Sequence, residues 1–130
     1  MIVEDGTGLS NADSYVSIEF ADNYFSARGV TAWAGLTQTK KEQALISGTD
    51  FIDSIYQWHG KKATSEQALR FPRVNLTDYE GMLVIGIPAC LKQAVCDASM
   101  LAVNGTELFQ TKNENGDVVS ETIKTLSFTY

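Results

Sequence analysis

Apolar residues recur at three- and four-residue steps in three stretches of the chain, and at two-residue steps only near its end. The first helical stretch carries Phe20, Ala21, Tyr24, Phe25 and Ala27. Ser17 precedes it as a good N-cap, because its hydroxyl can accept from an unpaired N–H of the first turn, and Gly29 is a natural stop. The pattern predicts a helix from Ile18 to Arg28. The longest periodic stretch carries Ala44, Leu45, Gly48, Phe51, Ile52, Ile55 and Tyr56. Thr39-Lys-Lys-Glu42 has the spacing of a capping box, so this helix is expected from Lys40 to Trp58, with Gly60 ending it. The third stretch carries Leu91, Ala94, Val95, Ala98, Leu101 and Ala102. Pro88 suits its first position and Gly105 its cap, which predicts a helix to Asn104.

Between these helices the pattern is weaker. A short connection passes through Trp33 and Leu36. Thr64-Ser-Glu-Gln67 suggests a capped turn, stopped at Phe71-Pro72 because a residue before proline avoids helical angles. Residues 74–86 read as a loop. Beyond Gly105 the period changes to two: Leu108-Phe109 and Val118-Val119 flank Asn113-Glu-Asn-Gly-Asp117, a hairpin signal. Leu126-Ser-Phe-Thr-Tyr130 alternates strictly, placing Leu126, Phe128 and Tyr130 on one side of a strand. The fold class expected is mainly α, a small bundle of about three main helices with a β-hairpin and extended C-terminal tail. Residues 1–16 form an extended arm, 17–105 the helical domain, and 106–130 the hairpin and tail.

Composition narrows what such a domain can do. The 130 residues are 44% hydrophobic and 20% charged, an ordinary globular mixture. No apolar run reaches the ~20 residues needed to cross a bilayer, and Met1-Ile-Val-Glu-Asp5 does not open like a signal peptide. A reducing cytoplasm is the expected compartment, where Cys90 and Cys96, on different faces of one helix, are small buried residues. Ten Lys and Arg stand against sixteen Asp and Glu, for a net charge of −6. That sign opposes tight, general binding to nucleic acid. The charge is uneven, however. Residues 38–73 hold six bases and four acids, while both flanking segments are acidic.

Catalytic and cofactor chemistry finds little footing. His59 is the sole histidine and follows Trp58 at the end of the long helix. With Asp50 and Asp53 it matches no hydrolase motif. One histidine and two cysteines match no zinc spacing. Gly6-Thr-Gly8 lacks the third glycine of a dinucleotide loop and the Lys of a phosphate loop. No enzyme and no cofactor is expected. The basic residues Lys61, Lys62, Arg70 and Arg73, with Trp58 nearby, have the cationic and aromatic interleaving that single-strand binders use.

Taken in order, several motifs resemble one family. They are Val3-Glu-Asp-Gly-Thr-Gly-Leu-Ser-Asn-Ala-Asp-Ser-Tyr-Val-Ser17, Ala21-Asp-Asn-Tyr-Phe25 with Arg28-Gly29, Trp33, and Thr49-Asp-Phe-Ile-Asp53. Trp58-His-Gly-Lys-Lys62, Gln67-Ala-Leu-Arg-Phe-Pro-Arg73 and Ile87-Pro-Ala89 complete the set. The chain is similar to the DnaT-like single-stranded-DNA-binding proteins of tailed phages, and these resemble helical head–tail adaptors. Thr49 departs from the family's more usual alanine. The resemblance implies a structural virion protein of the neck, assembled in the host cytoplasm. It would form a ring with itself, commonly of twelve copies, bound to the portal protein and to the next connector or tail component. DNA would pass through the channel without specific binding, an acidic wall being suited to passage. Leu126, Phe128 and Tyr130 would then contact the portal or a neighbouring subunit, by adding a strand to a sheet edge. Trp58, Lys61, Lys62, Arg70 and Arg73 would serve an inter-subunit contact or DNA. The alternative is a phage single-stranded-DNA-binding module built on that basic segment.

Overall fold

Helix α1 covers Ile18–Ala27, α2 Thr31–Ala34, α3 Gln38–Ile55 and α4 Ala89–Val103, and between α3 and α4 lie two short strands, β1 at Lys61–Lys62 and β2 at Arg73–Val74. This computed structural model describes residues 1–105, and they are mainly helical, as the hydrophobic period predicts. The hairpin expected around Asn115-Gly116, and the terminal strand with Leu126, Phe128 and Tyr130, lie outside the described residues.

The caps explain most of the helix limits. The Ser17 hydroxyl accepts from the Phe20 N–H at 3.0 Å, opening α1 at the expected residue. The start of α3 differs from expectation. Thr37, two residues earlier than Thr39, is the N-cap, and its hydroxyl accepts from the Lys40 N–H at 3.2 Å. Its end differs too: the helix stops at Ile55, three residues short of Trp58, and Tyr56 is extended (φ −102°, ψ 140°). The physical reason is aromatic packing. Leaving the helix lets Trp58 set its ring edge-on against Phe71, centroids 4.9 Å apart, with Tyr56 beside it at 5.6 Å. Helix α2, a single turn too short to show a period, replaces the expected connection. It buries Trp33, whose indole N–H donates to Asp22 at 2.8 Å.

Helices α3 and α4 form the principal packed pair. Leu45, Phe51 and Ile52 from α3 meet a core that includes Leu91, Val95 and Ala98 from α4. Gly48 makes this crossing possible: a Cβ there would lie 2.7 Å from the Val95 carbonyl oxygen and 3.1 Å from the Ser99 nitrogen, closer than real contacts allow. The Tyr24 hydroxyl of α1 reaches Asp97 of α4 at 2.9 Å, closing the bundle from the third side.

Residues 1–16 are fastened to these helices. Val3 pairs with Ser14 in a parallel bridge, and Tyr15 and Val16 are fully buried. Glu4 is buried as well, and its carboxylate accepts from the N–H groups of Gly6 (2.8 Å), Gly8 (2.9 Å) and Leu9 (2.8 Å). Three charge-assisted bonds satisfy a group that would otherwise be costly to bury.

Candidate nucleic-acid interface

The basic segment becomes a surface because the chain doubles back on itself between α3 and α4. β1 and β2 pair antiparallel, with Lys61 opposite Val74 and Lys62 opposite Arg73. Gly60 sets the approach. Its φ of +72° is left-handed, and a Cβ there would run into the Val74 carbonyl and come within 3.2 Å of Asn75. Only glycine takes that angle without strain in so tight a space.

Residues 63–72 are held by side chains from three directions. Thr64 and Gln67 form a reciprocal box: the Thr64 N–H donates to the Gln67 carbonyl oxygen at 2.9 Å, and the Gln67 N–H donates to the Thr64 hydroxyl at 3.1 Å. The Gln67 amide, buried, then donates to the Leu69 and Pro72 carbonyls, both at 2.9 Å. From the N-terminal segment, Tyr15 donates its hydroxyl proton to Asp53, at 2.8 Å from the nearer carboxylate oxygen, and accepts from the Phe71 N–H at 3.0 Å. Asp53 also accepts from the Arg70 N–H at 3.3 Å. Burial pushes the Asp53 carboxyl above its usual pKa, while these bonds hold it back.

Arg73 clips the far side. Its guanidinium donates to the carbonyls of His59 (2.9 Å), Gly60 (3.1 Å) and Arg70 (3.1 Å). Its donors are therefore largely spent on the backbone, and it forms no ion pair among the described residues. Partial burial and the neighbouring Arg70 pull its pKa below the usual value, though an arginine remains charged at any ordinary pH.

The result is an open groove of about 590 Å³ lined by Lys61, Lys62, Arg70 and Arg73 together with Thr64 and Ser65. Lys61, Lys62 and Arg70 are exposed. The ion pairs among the described residues, Lys41 with Asp22 and the N-terminus with Glu42, use none of these four cations. A second depression of about 450 Å³ shares Lys62 and Arg70 and is bounded by Asp50 and Asp53, which set an acidic edge to the surface.

Four of the sequence-predicted residues thus meet at one groove. Trp58 does not offer its face there, being half-buried against Phe71 and Tyr56. Leu126, Phe128 and Tyr130 fall outside the described residues. Sequence reading passed over Tyr15, Asp53 and Gln67 as the parts that hold the segment. It read 74–86 simply as a loop, whereas Thr77 bridges Leu83 and the segment they close exposes Tyr79, Met82 and Leu83. The signal available was Asp78-Tyr-Glu-Gly81, a tight-turn composition.

No curated protein and no solved structure is a significant match to this chain. A family model described as "Putative DnaT-like ssDNA binding protein" matches residues 1–130. That finding corrects two expectations drawn from the sequence. The description of the family names single-stranded DNA as its ligand, so the head–tail adaptor reading gives way to the alternative. The expectation that DNA passes without specific binding falls with it, and the portal, the ring and the tail components have no support in the match. The error had a physical source: the net charge of −6 averages over a surface on which four cations are locally gathered. The whole chain matches, and it belongs to the family of DnaT-like single-stranded-DNA-binding proteins.

Proposed function

We propose that this chain binds single-stranded DNA, with the phosphate backbone lying in the groove between Lys61, Lys62 and Arg70. The observation that carries this reading is the gathering of four cations, none ion-paired among the described residues, around one groove of an acidic protein. Lysine and arginine attract phosphate and release its counterions, which supplies most of the affinity of a sequence-independent binder. Arg73 adds charge while fixing the loop, and the Thr64 and Ser65 hydroxyls supply neutral donors in the groove. The acidic edge at Asp50 and Asp53 confines the strand to one side. The activity is binding rather than catalysis. Asp53, the carboxylate a hydrolytic reading would need, is instead committed to Tyr15.

The test is fluorescence anisotropy of a labelled oligo(dT) strand at low salt. Wild-type protein is expected to bind, and the pair Lys61→Glu with Lys62→Glu to lose binding by at least about ten-fold. Both lysines are exposed, so the fold is retained. Absence of wild-type binding at low salt, or unchanged binding by the charge-reversed protein, would overturn the proposal.

A further inference from the structure

We infer that the turn following β2 is a stacking platform for an unpaired base, with Tyr79 as its ring; this rests on the single-strand reading above and gives that site its preference for bases over a bare phosphate chain.

The turn is unusual in what it exposes. Tyr79 is 80% exposed, Ile85 79%, Met82 65% and Leu83 59%. Four large apolar side chains within seven residues are thus left in water, whereas the other Phe, Tyr and Trp rings among the described residues are buried wholly or in part. Singly scattered exposed apolar residues need no explanation, but four of them within seven residues make this turn a candidate surface for binding.

The backbone beneath them is held firmly. The Asp78 carboxylate accepts from the N–H groups of Glu80 (3.0 Å) and Met82 (2.9 Å). The Asp78 N–H donates to the Met82 carbonyl at 2.9 Å, and the Val84 N–H to the Leu76 carbonyl at 2.8 Å. Leu76 is fully buried and anchors the base of the turn. A tyrosine displayed on a fixed turn offers a large ring at small entropic cost, since few torsions need to be frozen.

Its position ties it to the groove. Arg73 stands in β2 and Tyr79 follows six residues later, so their Cα atoms are within about 22 Å of each other even at full chain extension. A strand of the roughly 4–16 nucleotides that a small single-strand binder covers is long enough to span that separation. Trp58, the aromatic that sequence places nearest the lysines, is packed into the protein and leaves the role open. The charges at the turn fit a base and not a phosphate. The Asp78 carboxylate is occupied by two N–H groups, and exposed Glu80, next in the chain to Tyr79, disfavours phosphate while a neutral base carries no charge for it to repel.

The experiment compares Tyr79→Ala, Tyr79→Phe and the lysine charge reversal on two labelled strands of about twelve nucleotides, a length within that footprint: oligo(dT), and a chain of abasic sites with the same phosphates. Tyr79→Ala is expected to weaken oligo(dT) binding by about ten-fold, equivalent to about 1.4 kcal/mol of stacking, and to leave the abasic strand unchanged. Tyr79→Phe keeps the ring and is expected to stay within about two-fold of wild type. Equal binding of oligo(dT) by wild type and Tyr79→Ala, or an equal loss on both strands, would overturn the inference. If charge reversal abolishes binding while Tyr79→Ala does not weaken it, the platform alone fails. If the wild type binds neither strand, the single-strand reading fails with it. Because Tyr79 touches solvent over most of its surface, its removal is expected to leave the far-ultraviolet circular dichroism unchanged.

Discussion

Tyr15 joins three parts of the chain through one oxygen. Its hydroxyl donates to Asp53 of α3 and accepts from the Phe71 N–H beside Arg70, so the N-terminal segment, the long helix and the basic loop share a single polar link. Its ring is buried edge-on to Phe71, with centroids 6.2 Å apart. Tyr15→Phe keeps that packing and deletes the oxygen, leaving a buried N–H unpaired and a largely buried carboxylate short of a donor. A loss of about 2–3 kcal/mol in urea unfolding is expected, because the cost is that of stranded polar groups rather than of one hydrogen bond. A loss below about 0.5 kcal/mol would mean that water replaces the hydroxyl without penalty. No local pattern could have disclosed this link. The cations at 61, 62, 70 and 73 are visible as letters, but a tyrosine bonded to an aspartate 38 positions away is a product of the tertiary fold.

Among the helices, local chemistry carried the reading as far as local chemistry acts. Ser17 and Gly29 bound α1 because a hydroxyl and a left-handed glycine satisfy the ends of any helix. Two threonines compete to open α3, and the capping-box pattern favours Thr39, while the backbone is capped by Thr37. The far end was misjudged because Tyr56 extends the apolar stripe in sequence, whereas in space it and Trp58 leave the helix to pack near Phe71. β1 and β2 are two residues each and carry no period to find. The closest contact between elements falls at Gly48. Gly48→Ala gains about 1 kcal/mol of helix propensity but drives a Cβ against the backbone of α4 at Val95. A backbone carbonyl cannot step aside, and overpacking of this kind costs about 1–3 kcal/mol. The substitution is expected to lower net stability by up to about 2 kcal/mol. A stabilised protein would show that the two helices can separate freely.

The molecule as a whole is acidic, and three partly desolvated aspartates give it an unusual response to pH. Burial raises the carboxyl pKa values of Asp50, Asp53 and Asp97 above the usual range. Each holds a proton more readily folded than unfolded, so its contribution to stability is present below the unfolded pKa and is lost as pH rises through the folded one. Relief of net negative charge acts in the same direction. The thermal midpoint is therefore expected to hold or rise as the pH falls from about 7 to about 5, and a steep fall over that interval would contradict the assignment. The same acidity misled the sequence reading of function, since a net charge says nothing of where the four cations gather. The most direct test of that groove is the salt dependence of oligo(dT) binding at neutral pH. With three or four cations facing phosphate, the logarithm of affinity is expected to fall against the logarithm of salt with a slope of about −2 to −3, and the slope is expected to flatten by about one to two when Lys61 and Lys62 are both replaced by Ala. Binding that is insensitive to salt, or a slope unaltered by removing the two lysines, would contradict it.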